Sequence, residues 1–361
     1  MKHAIRRRPR AALLWGLALF AGLQLGLTAF MDRWWPELRD PEYGYKLERL
    51  RRQLAKFPGR PLLLALGSSR TQLAFRPDAV LAGLSDQAPV PVAFNFGLVG
   101  AGPVTELLCL RRLLDHGIRP DGLVVEVLPP LLHQEADWAE EKSMDLNRLG
   151  WEDWRRVGPY FTGSKHVYRR WRQAQWVPWF THRRGILSRW APCWLPEEDR
   201  RDQWRTYIDR SGWMARRASV TAAEYRHALD HARREYAPAL QAFRVTEVAD
   251  RAVRDLLELC RREGIPVLFV LAPEGREFQS WYPSAARAAL EAYLTDLCRA
   301  WQVPLVDARS WVEDERFADG HHVLPAGAEV FSGRLGREVL RPLLEGERWV
   351  PPTPPSRDRG V

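Results

Sequence analysis

The stretch Pro61-Leu-Leu-Leu-Ala-Leu-Gly67-Ser68-Ser69 determines how the rest of the chain is interpreted. An apolar run of this length that stops at glycine predicts a buried parallel strand that breaks into a turn. In an open α/β sheet, ligands bind at the carboxyl ends of the strands. A serine pair in that position, ahead of a predicted helix, is either helix-capping chemistry or a nucleophile.

Four further apolar runs are separated from this one, and from each other, by helical patterns. These runs begin at Val90, Gly122, Ile265 and Val303. Strands that alternate with helices predict an α/β fold with a mostly parallel sheet and right-handed crossovers. We therefore predict one α/β domain with a five-stranded sheet over residues 32–345. Residues 131–245 show no clear strand pattern and are predicted to be a helical insertion between the third and fourth strands.

The insertion is rich in tryptophan and arginine. Nine of the seventeen Trp residues fall between Trp151 and Trp213, and residues 151–217 carry fifteen Lys/Arg against seven Asp/Glu. Three interpretations stay open: a lid that buries its Trp rings on the main domain, a surface for anionic lipid headgroups, and sugar binding on Trp faces. Single-stranded nucleic acid also binds such surfaces. The N-terminal segment described next, however, predicts that this domain faces away from the cytoplasm, which argues against a nucleic-acid partner.

The N-terminus is typical of a membrane anchor. Five basic residues and no acids occupy residues 1–10, and residues 11–30 contain no charge. Twenty helical residues span about 30 Å, the thickness of the hydrocarbon core. We predict a transmembrane signal anchor over residues 11–31, with residues 1–10 in the cytoplasm by the positive-inside rule. The alternative is a cleaved signal peptide, but its apolar region would be shorter and would end in small residues.

This topology predicts a single-pass membrane protein whose main domain lies in the periplasm or at the cell surface. Because five basic groups lie in the first ten residues, the remainder carries only about +4 of the formal +9 charge, and a nucleic-acid partner is not indicated. The four cysteines form no C-x-x-C pair, although Cys260 and Cys298 could pair in an oxidising compartment. Residues 346–361 are Pro-rich and are predicted to be a disordered tail.

Two later motifs favour a nucleophilic role for the serine pair. A glycine-rich loop from Asn95 to Gly102 follows the second strand, and glycines let backbone N–H groups approach a ligand. Asp319-Gly-His321-His322 precedes the last predicted helix. A serine hydroxyl needs an imidazole base and a carboxylate that orients the imidazole, and this turn can supply both. The two histidines and the aspartate could also ligate a metal, but the sequence offers no further ligand cluster, so no metal or cofactor is predicted.

These motifs resemble the sequence blocks of the SGNH/GDSL hydrolase superfamily, which has a three-layer α/β/α, flavodoxin-like fold. Gly67-Ser68-Ser69 is similar to the nucleophile block, with Ser68 where the family often has Asp and Ser69 at the nucleophile position. The loop after the second strand resembles the second block, with Gly100 at the oxyanion-glycine position.

The D-x-x-H block of this superfamily is matched by Asp319 and His322. The resemblance implies that Ser69 attacks an acyl carbonyl, that His322 is the general base and that Asp319 orients it. It also implies that the backbone N–H groups of Ser69 and Gly100 hold the oxyanion.

One block departs from the family pattern. The third block usually carries Gly-x-Asn-Asp, whose Asn donates to the oxyanion, whereas here the third strand runs into Pro129-Pro130. Proline has no N–H, and loss of one oxyanion donor typically costs about 10²–10³ in rate. Arg70 or a residue of the insertion is a candidate replacement donor. Asn95 and His321 are further candidate site residues.

The resemblance implies a membrane-anchored serine esterase or O-acyltransferase that acts on acyl, chiefly acetyl, esters of an extracytoplasmic glycan. Similar anchored proteins often accompany polysaccharide-modifying systems, which implies a membrane-embedded acyl-donor partner. The alternative is a non-catalytic SGNH-like protein that binds a glycan or an assembly partner through its Trp/Arg insertion. A third interpretation, lipid-ester hydrolysis at the bilayer surface, would use the same triad.

Overall fold

The computed structural model forms two compact units, each built from two separate parts of the chain. Unit 1 consists of Met1–Tyr45 and Asp145–Thr206, and unit 2 of Lys46–Met144 and Tyr207–Val361. The residues that the structure describes are 7–84, 90–133, 140, 144–161, 165–197, 207–215, 217–346 and 349–353.

The described residues contain strands, α-helices and a few shorter helical turns. The strands are β1 Leu62–Leu66, β2 Val92–Asn95, β3 Gly122–Glu126, β4 Val267–Leu271 and β5 Leu305–Asp307. The α-helices are α1 Arg7–Trp34, α2 Pro36–Arg39, α3 Pro41–Lys56, α4 Ser69–Ala74, α5 Pro77–Gly83, α6 Pro103–Asp115, α7 Pro129–His133, α8 Trp151–Val157, α9 Lys165–Trp176, α10 Pro178–Trp190, α11 Ala222–Gln241, α12 Glu247–Glu263, α13 Arg276–Ser280, α14 Ser284–Trp301, α15 Pro325–Arg334 and α16 Arg341–Glu345. The 3-10 turns are Leu146–Arg148, Gly158–Tyr160, Pro192–Trp194 and Asp314–Arg316, and the π-helical turn Leu335–Leu340 joins α15 to α16.

The five strands form one sheet in unit 2, in the order β2-β1-β3-β4-β5, and every neighbouring pair is parallel. This confirms the predicted α/β class with a five-stranded parallel sheet. The order 2-1-3-4-5 is that of a doubly wound sheet, in which the order of strand addition reverses between β1 and β3. The carboxyl ends of these two strands flank the crevice where ligands bind in such sheets. The serine pair follows β1 directly.

Helices cover both faces of the sheet. On one face, Ala65 and Val124 belong to a core that also includes Phe331 of α15 and side chains from α4 and α5. On the other face, Val125 and Phe269 line a cavity that is also lined by side chains from α6, α12 and α14. Because successive strand side chains point to opposite faces, a strand buried on both faces has an unbroken apolar sequence.

Unit 1 is built around α1, the one described helix that is long and apolar enough to cross a membrane. Its C-terminal half packs on α9 and α10. Thr28 Oγ1 donates to the Gln175 carbonyl at 2.8 Å, and the Trp179 N–H donates to Gln24 Oε1 at 3.2 Å. These two bonds satisfy polar groups of α1 that would otherwise face apolar surroundings.

Several tryptophans of the insertion pack against one another inside unit 1. The rings of Trp154 and Trp171 are stacked, with centroids 4.6 Å apart, and Trp151 meets Trp171 edge-on at 4.7 Å. Trp171 is fully buried, and its indole N–H donates to the Leu149 carbonyl at 3.1 Å. The aromatic excess noted in the sequence therefore contributes to a core of unit 1.

The segment predicted to be a helical insertion, residues 131–245, is divided between the two units. Only Asp145–Thr206 belongs to unit 1, whereas residues 131–144 and 207–245, which include α11, belong to unit 2. The helical pattern of α11 shows that one face is apolar but does not show which element that face contacts. In the structure, Tyr236 of α11 contacts Phe278 of α13, with ring centroids 5.3 Å apart.

The prediction of a disordered tail from residue 346 is wrong for residues 349–353. The Trp349 ring packs against the core of unit 2, and the Thr353 N–H donates to the Trp301 carbonyl at 3.0 Å. A large indole ring offers enough apolar area to hold a Pro-rich segment in place. The rest of the predicted tail, residues 354–361, lies outside the described residues. Cys260 and Cys298 are free thiols and are not paired.

Candidate active site

The serine pair lies in a tight turn between β1 and α4. A side chain at Gly67 would place its Cβ 2.6 Å from Glu126 Cβ, so glycine is required there. Ser68 caps α4, because its Oγ accepts a hydrogen bond from the Arg70 N–H at 3.1 Å. Ser69 is the first residue of α4 and is partly exposed. Capping is thus the role of Ser68, and the hydroxyl of Ser69 is left to face the crevice.

Ser69, His322 and Asp319 form a continuous hydrogen-bonded chain. Ser69 Oγ lies 2.8 Å from His322 Nε2, and His322 Nδ1 lies 2.7 Å from Asp319 Oδ2. A carboxylate can only accept a hydrogen bond, so the contact with Asp319 assigns the proton of the neutral imidazole to Nδ1. Nε2 is then free of a proton and accepts the hydrogen bond from the serine hydroxyl. The structure therefore brings the three predicted residues together in the order that proton transfer from Ser69 requires.

The D-x-x-H segment is a tight turn that the Asp319 side chain closes. Asp319 Oδ1 accepts hydrogen bonds from the backbone N–H groups of His321 at 3.2 Å and His322 at 2.8 Å. Gly320 adopts a φ of +83°, which other residues rarely adopt. The Ala318 N–H donates to the His322 carbonyl at 2.8 Å and closes the base of the turn. Backbone geometry thus fixes the imidazole before any substrate binds.

Electrostatics keep Asp319 ionised and His321 neutral. Burial raises the pKa of Asp319, but the charge and hydrogen bonds of His322 outweigh burial and hold the pKa well below its usual range. Burial, and then the charge of His322, lower the pKa of His321 well below its ordinary value of 6.5. The His321 ring stands 4.0 Å from that of His322 and 4.6 Å from Tyr236. His321 therefore supports the His322 ring as a neutral packing residue.

The glycine-rich loop after β2 lies directly against the nucleophile turn. The Leu98 N–H donates to the Gly67 carbonyl at 2.8 Å. A Cβ on Gly97 would fall 2.6 Å from the Gln72 nitrogen, so the two backbones approach as closely as they can. Gly100 lies in a turn with a φ of +71°. The loop that carries the predicted oxyanion glycine is therefore adjacent to the turn that carries Ser69.

Asn95 has a positioning role in this arrangement. It is fully buried, and its Nδ2 donates to the carbonyls of Thr71 at 2.8 Å and Phe75 at 2.6 Å. Its Oδ1 accepts the Gly97 N–H at 2.9 Å. The side chain thus joins the end of α4 to the loop after β2, and both of its amide hydrogens are used for that purpose.

Arg70, the candidate replacement donor, forms an ion pair inside the domain. Its side chain is 2% exposed, forms a 2.7 Å ion pair with Glu274 and lies over the Phe278 ring. The Tyr282 hydroxyl donates to the same Glu274 oxygen at 2.9 Å. Although Arg70 follows Ser69 directly in sequence, its charge is paired with Glu274 in the buried part of the domain. The Pro129-Pro130 pair is buried at the start of α7.

Sequence reasoning missed Glu126, which holds the nucleophile turn in place. Its Oε2 accepts from the Ser68 N–H at 2.7 Å, from Ser68 Oγ at 2.9 Å and from Thr71 Oγ1 at 2.7 Å. The available signal was a charged residue at the carboxyl end of an otherwise apolar strand. A carboxylate at that position has to be paired, and the nearest partners are the N–H groups of the neighbouring turn.

Among the described residues, one group of side chains has potential metal-ligand atoms close enough together to hold an ion. The donor atoms of Asp319, His321 and His322 lie within 4.8 Å of one another. Both ring nitrogens of His322 are already engaged by Ser69 and Asp319, so this group coincides with the hydrogen-bonded chain.

No known protein family matches the chain by sequence, and no curated protein sequence matches it. The site is therefore characterised by its own geometry. It is a Ser-His-Asp arrangement at the carboxyl edge of a parallel sheet, with a serine at a helix start and a glycine-rich loop beside it.

Proposed function

We propose that this protein is a serine esterase or O-acyltransferase that uses Ser69, His322 and Asp319 as its triad. The observation that carries the proposal is the hydrogen-bonded chain from Ser69 Oγ through His322 to Asp319, with contacts of 2.8 Å and 2.7 Å. A serine hydroxyl becomes a competent nucleophile near neutral pH when an oriented imidazole accepts its proton.

The reaction proceeds through an acyl-serine intermediate. Ser69 Oγ attacks the acyl carbonyl carbon while His322 Nε2 takes the hydroxyl proton, and Asp319 stabilises the resulting imidazolium. His322 then gives the proton to the leaving alcohol, and the acyl group stays on Ser69. In the second half, water or a sugar hydroxyl gives a proton to His322 and attacks the acyl carbonyl carbon. The bond between the acyl group and Ser69 Oγ then breaks, and His322 returns the proton to Ser69 Oγ. Water yields hydrolysis, and a sugar hydroxyl yields acyl transfer.

The developing oxyanion is stabilised by the backbone N–H groups of Ser69 and Gly100 in this proposal. Ser69 is the first residue of α4, and the first N–H groups of a helix have no acceptor within it. A third donor from an asparagine is missing, because Pro129 and Pro130 follow β3. With one donor fewer, we expect turnover about 10²–10³ below that of a site with all three donors.

The proposed fold family is the three-layer SGNH type. The strand order and the packing of helices on both sheet faces support this assignment. The proposed location follows from α1, with the N-terminus in the cytoplasm and unit 2 outside it. An outward-facing acyl-transfer site next to a membrane fits an acetylated glycan as substrate and a membrane-embedded protein as acyl donor.

A fluorophosphonate probe tests the nucleophile directly, because it phosphonylates an activated serine. We expect full-length protein in detergent to be labelled, and Ser69→Ala to lose the label completely. His322→Ala should slow labelling by about 10²–10⁴, the usual contribution of a general base. Ser284→Ala is the matched control, since Ser284 is an exposed helix-terminal serine that should not affect labelling. Labelling that survives Ser69→Ala would point to another nucleophile.

The second candidate function is non-catalytic binding of a glycan, which the Pro129-Pro130 pair favours because it removes a donor. This function predicts no probe labelling and no acyl-ester hydrolysis by the wild type. It also predicts equal glycan binding by the wild type and by His322→Ala. A labelled Ser69 excludes it.

A further inference from the structure

The helix pair α9–α10 forms a hairpin whose tip lies beside the middle of α1. Trp179 at the start of α10 contacts Gln24, and Gln175 near the end of α9 contacts Thr28. At the other end of α10, the Trp190 ring lies 4.8 Å from that of Trp35. The hairpin therefore follows the C-terminal half of α1 from Gln24 to Trp35, with α10 running in the same direction as α1.

The tip of this hairpin exposes large apolar side chains. Trp176, Val177, Trp179 and Phe180 are 57%, 36%, 43% and 65% exposed. These four exposed residues lie on either side of the buried Pro178 and make an apolar patch. Patches of this kind on a protein surface mark a binding partner or a membrane.

The surroundings of the tip are strongly basic. Residues 165–196 contain seven Lys/Arg and no Asp/Glu. Arg172 precedes the tip by one helical turn, and Arg183 and Arg184 follow it by one turn, which is about 6 Å. Apolar rings with arginines one turn away match the boundary between acyl chains and anionic headgroups, where long basic side chains reach toward phosphate.

The position of the tip along α1 agrees with this boundary. Gln24 follows Arg10 by fourteen residues, about 21 Å along the helix. A hydrocarbon core of about 30 Å that begins near Arg10 ends close to Phe30, about 9 Å beyond Gln24. Interfacial helices bury their apolar face about 5–10 Å deep. The tip therefore reaches the depth of an interfacial element, and the arginines beyond it reach the headgroups.

We propose that the tip of the α9–α10 hairpin inserts into the extracytoplasmic leaflet of the bilayer that α1 crosses. The inference rests on the proposed transmembrane position of α1. The occupant of the patch is lipid. Continuity with the exposed face of α1, the basic flank and the depth along α1 all support lipid rather than a second protein. Thr28 donates a hydrogen bond to the hairpin and Gln24 Oε1 accepts one from it, so both polar residues of the span have a partner within the bilayer.

Depth-dependent fluorescence quenching tests the proposal on the full-length protein in vesicles of phosphatidylglycerol and phosphatidylcholine. A cysteine-reactive NBD dye is placed at Phe180→Cys or Trp176→Cys in a Cys193→Ser background, because Cys193 is the exposed native thiol among the described cysteines. Trp151→Cys is the matched control, an exposed aromatic position whose neighbour Gly150 lies beside Asp32, beyond the span. Leu17→Cys reports on α1 itself. The quenchers are lipids that carry nitroxides at a shallow or a deep position of the acyl chain.

We expect the shallow quencher to reduce emission roughly twofold or more at positions 176 and 180, and the deep quencher to act best at position 17. The label at position 151 should stay unquenched. A label at 17 that is quenched together with labels at 176 and 180 that are not would overturn the insertion of the tip while α1 remains embedded. A label at 17 that lipid does not quench would overturn the membrane span and this inference together. Neither result affects probe labelling of Ser69, which tests the proposed function independently.

Discussion

At the residue scale, the charge of Arg70 is neutralised inside the domain, one position after the candidate nucleophile. Arg70 and Glu274 form a 2.7 Å ion pair in which both side chains are at most 2% exposed. Removal of one partner of a buried pair leaves an uncompensated charge, which is more costly than the pair itself is favourable. Because Arg70 and Ser69 belong to the same short helix, α4, loss of the ion pair also destabilises the turn that holds Ser69.

Glu274→Ala is therefore expected to lower the free energy of unfolding by about 3–5 kcal/mol, as measured by denaturant titration of the full-length protein. The matched control is Glu277→Ala. Glu277 lies three residues further and is exposed, so its loss should change the free energy by less than about 0.5 kcal/mol. Equal effects of the two variants would show that the Arg70–Glu274 pair does not stabilise the domain.

Glu106 of α6 makes folding depend on pH. Burial raises the pKa of Glu106 well above its usual 4.5, and the nearby carboxylates of Glu126 and Glu140 raise it further. The folded chain therefore keeps a proton that the unfolded chain releases near pH 4.5. The stability contributed by this group is full below that pH and is lost as the pH rises toward the folded pKa.

Glu106→Gln cannot ionise and should remove this loss. We expect the free energy of unfolding of Glu106→Gln to rise relative to that of the wild type as the pH increases above 4.5, by about 1.4 kcal/mol for each pH unit until the folded pKa is reached. Glu291→Gln, at an exposed position of α14, controls for the removal of one charge. A difference between Glu106→Gln and wild type that stays constant with pH would contradict the raised pKa.

The sequence predicted the three triad residues because each belongs to a short motif with its own chemistry. Glu126 and Glu274 could not be predicted in the same way. Glu126 bonds to Ser68 across 58 residues, and Glu274 bonds to Arg70 across 204 residues. Such pairings depend on which strands become neighbours in the sheet. Only the charge at the end of an apolar strand gave a hint of the first pairing.

At the scale of elements, the contact between α4 and the loop after β2 determines the shape of the site. The two backbones meet at Gly97, where an added Cβ would lie 2.6 Å from the Gln72 nitrogen and 2.9 Å from the Ser68 carbonyl oxygen. Backbone atoms cannot move aside as a flexible side chain can. Any side chain at Gly97 therefore pushes the loop that carries Gly100 away from the turn that carries Ser69.

Gly97→Ala is expected to cost about 1–3 kcal/mol of unfolding free energy and to slow fluorophosphonate labelling of Ser69. Gly185→Ala is the matched control, because its Cβ would meet nothing closer than 3.9 Å. In a helix, alanine at that position is favoured over glycine. Unchanged labelling and stability in Gly97→Ala would show that the close approach of the two elements is not needed.

The strands of unit 2 agree with the sequence prediction because their apolar patterns follow from burial on both sheet faces. The division of the insertion between the two units did not follow from the sequence pattern. The apolar face of α11 contacts α13, and Trp349 contacts the core after a Pro-rich segment. In both cases the pattern shows that a side chain is buried but not where its partner lies along the chain.

At the scale of the whole molecule, the anchor and the Trp/Arg segment form one unit, and the sheet with its candidate site forms the other. The sequence predicted the anchor and the insertion separately. It could not predict that they pack together, because the Gln24–Trp179 bond joins residues 155 positions apart. A polar residue in an apolar span indicates that it needs a partner, without indicating which one.

The most direct test of the central claim is to trap the acyl-enzyme. Full-length protein is mixed with p-nitrophenyl acetate, quenched in acid within seconds, digested and analysed by tandem mass spectrometry. We predict an acetyl group on Ser69 in the wild type, none on the same peptide of His322→Ala at that time, and an unchanged adduct in Ser284→Ala. An acetyl group on another residue of the wild type, or equal acetylation of Ser69 in wild type and His322→Ala, would contradict a Ser69–His322–Asp319 triad.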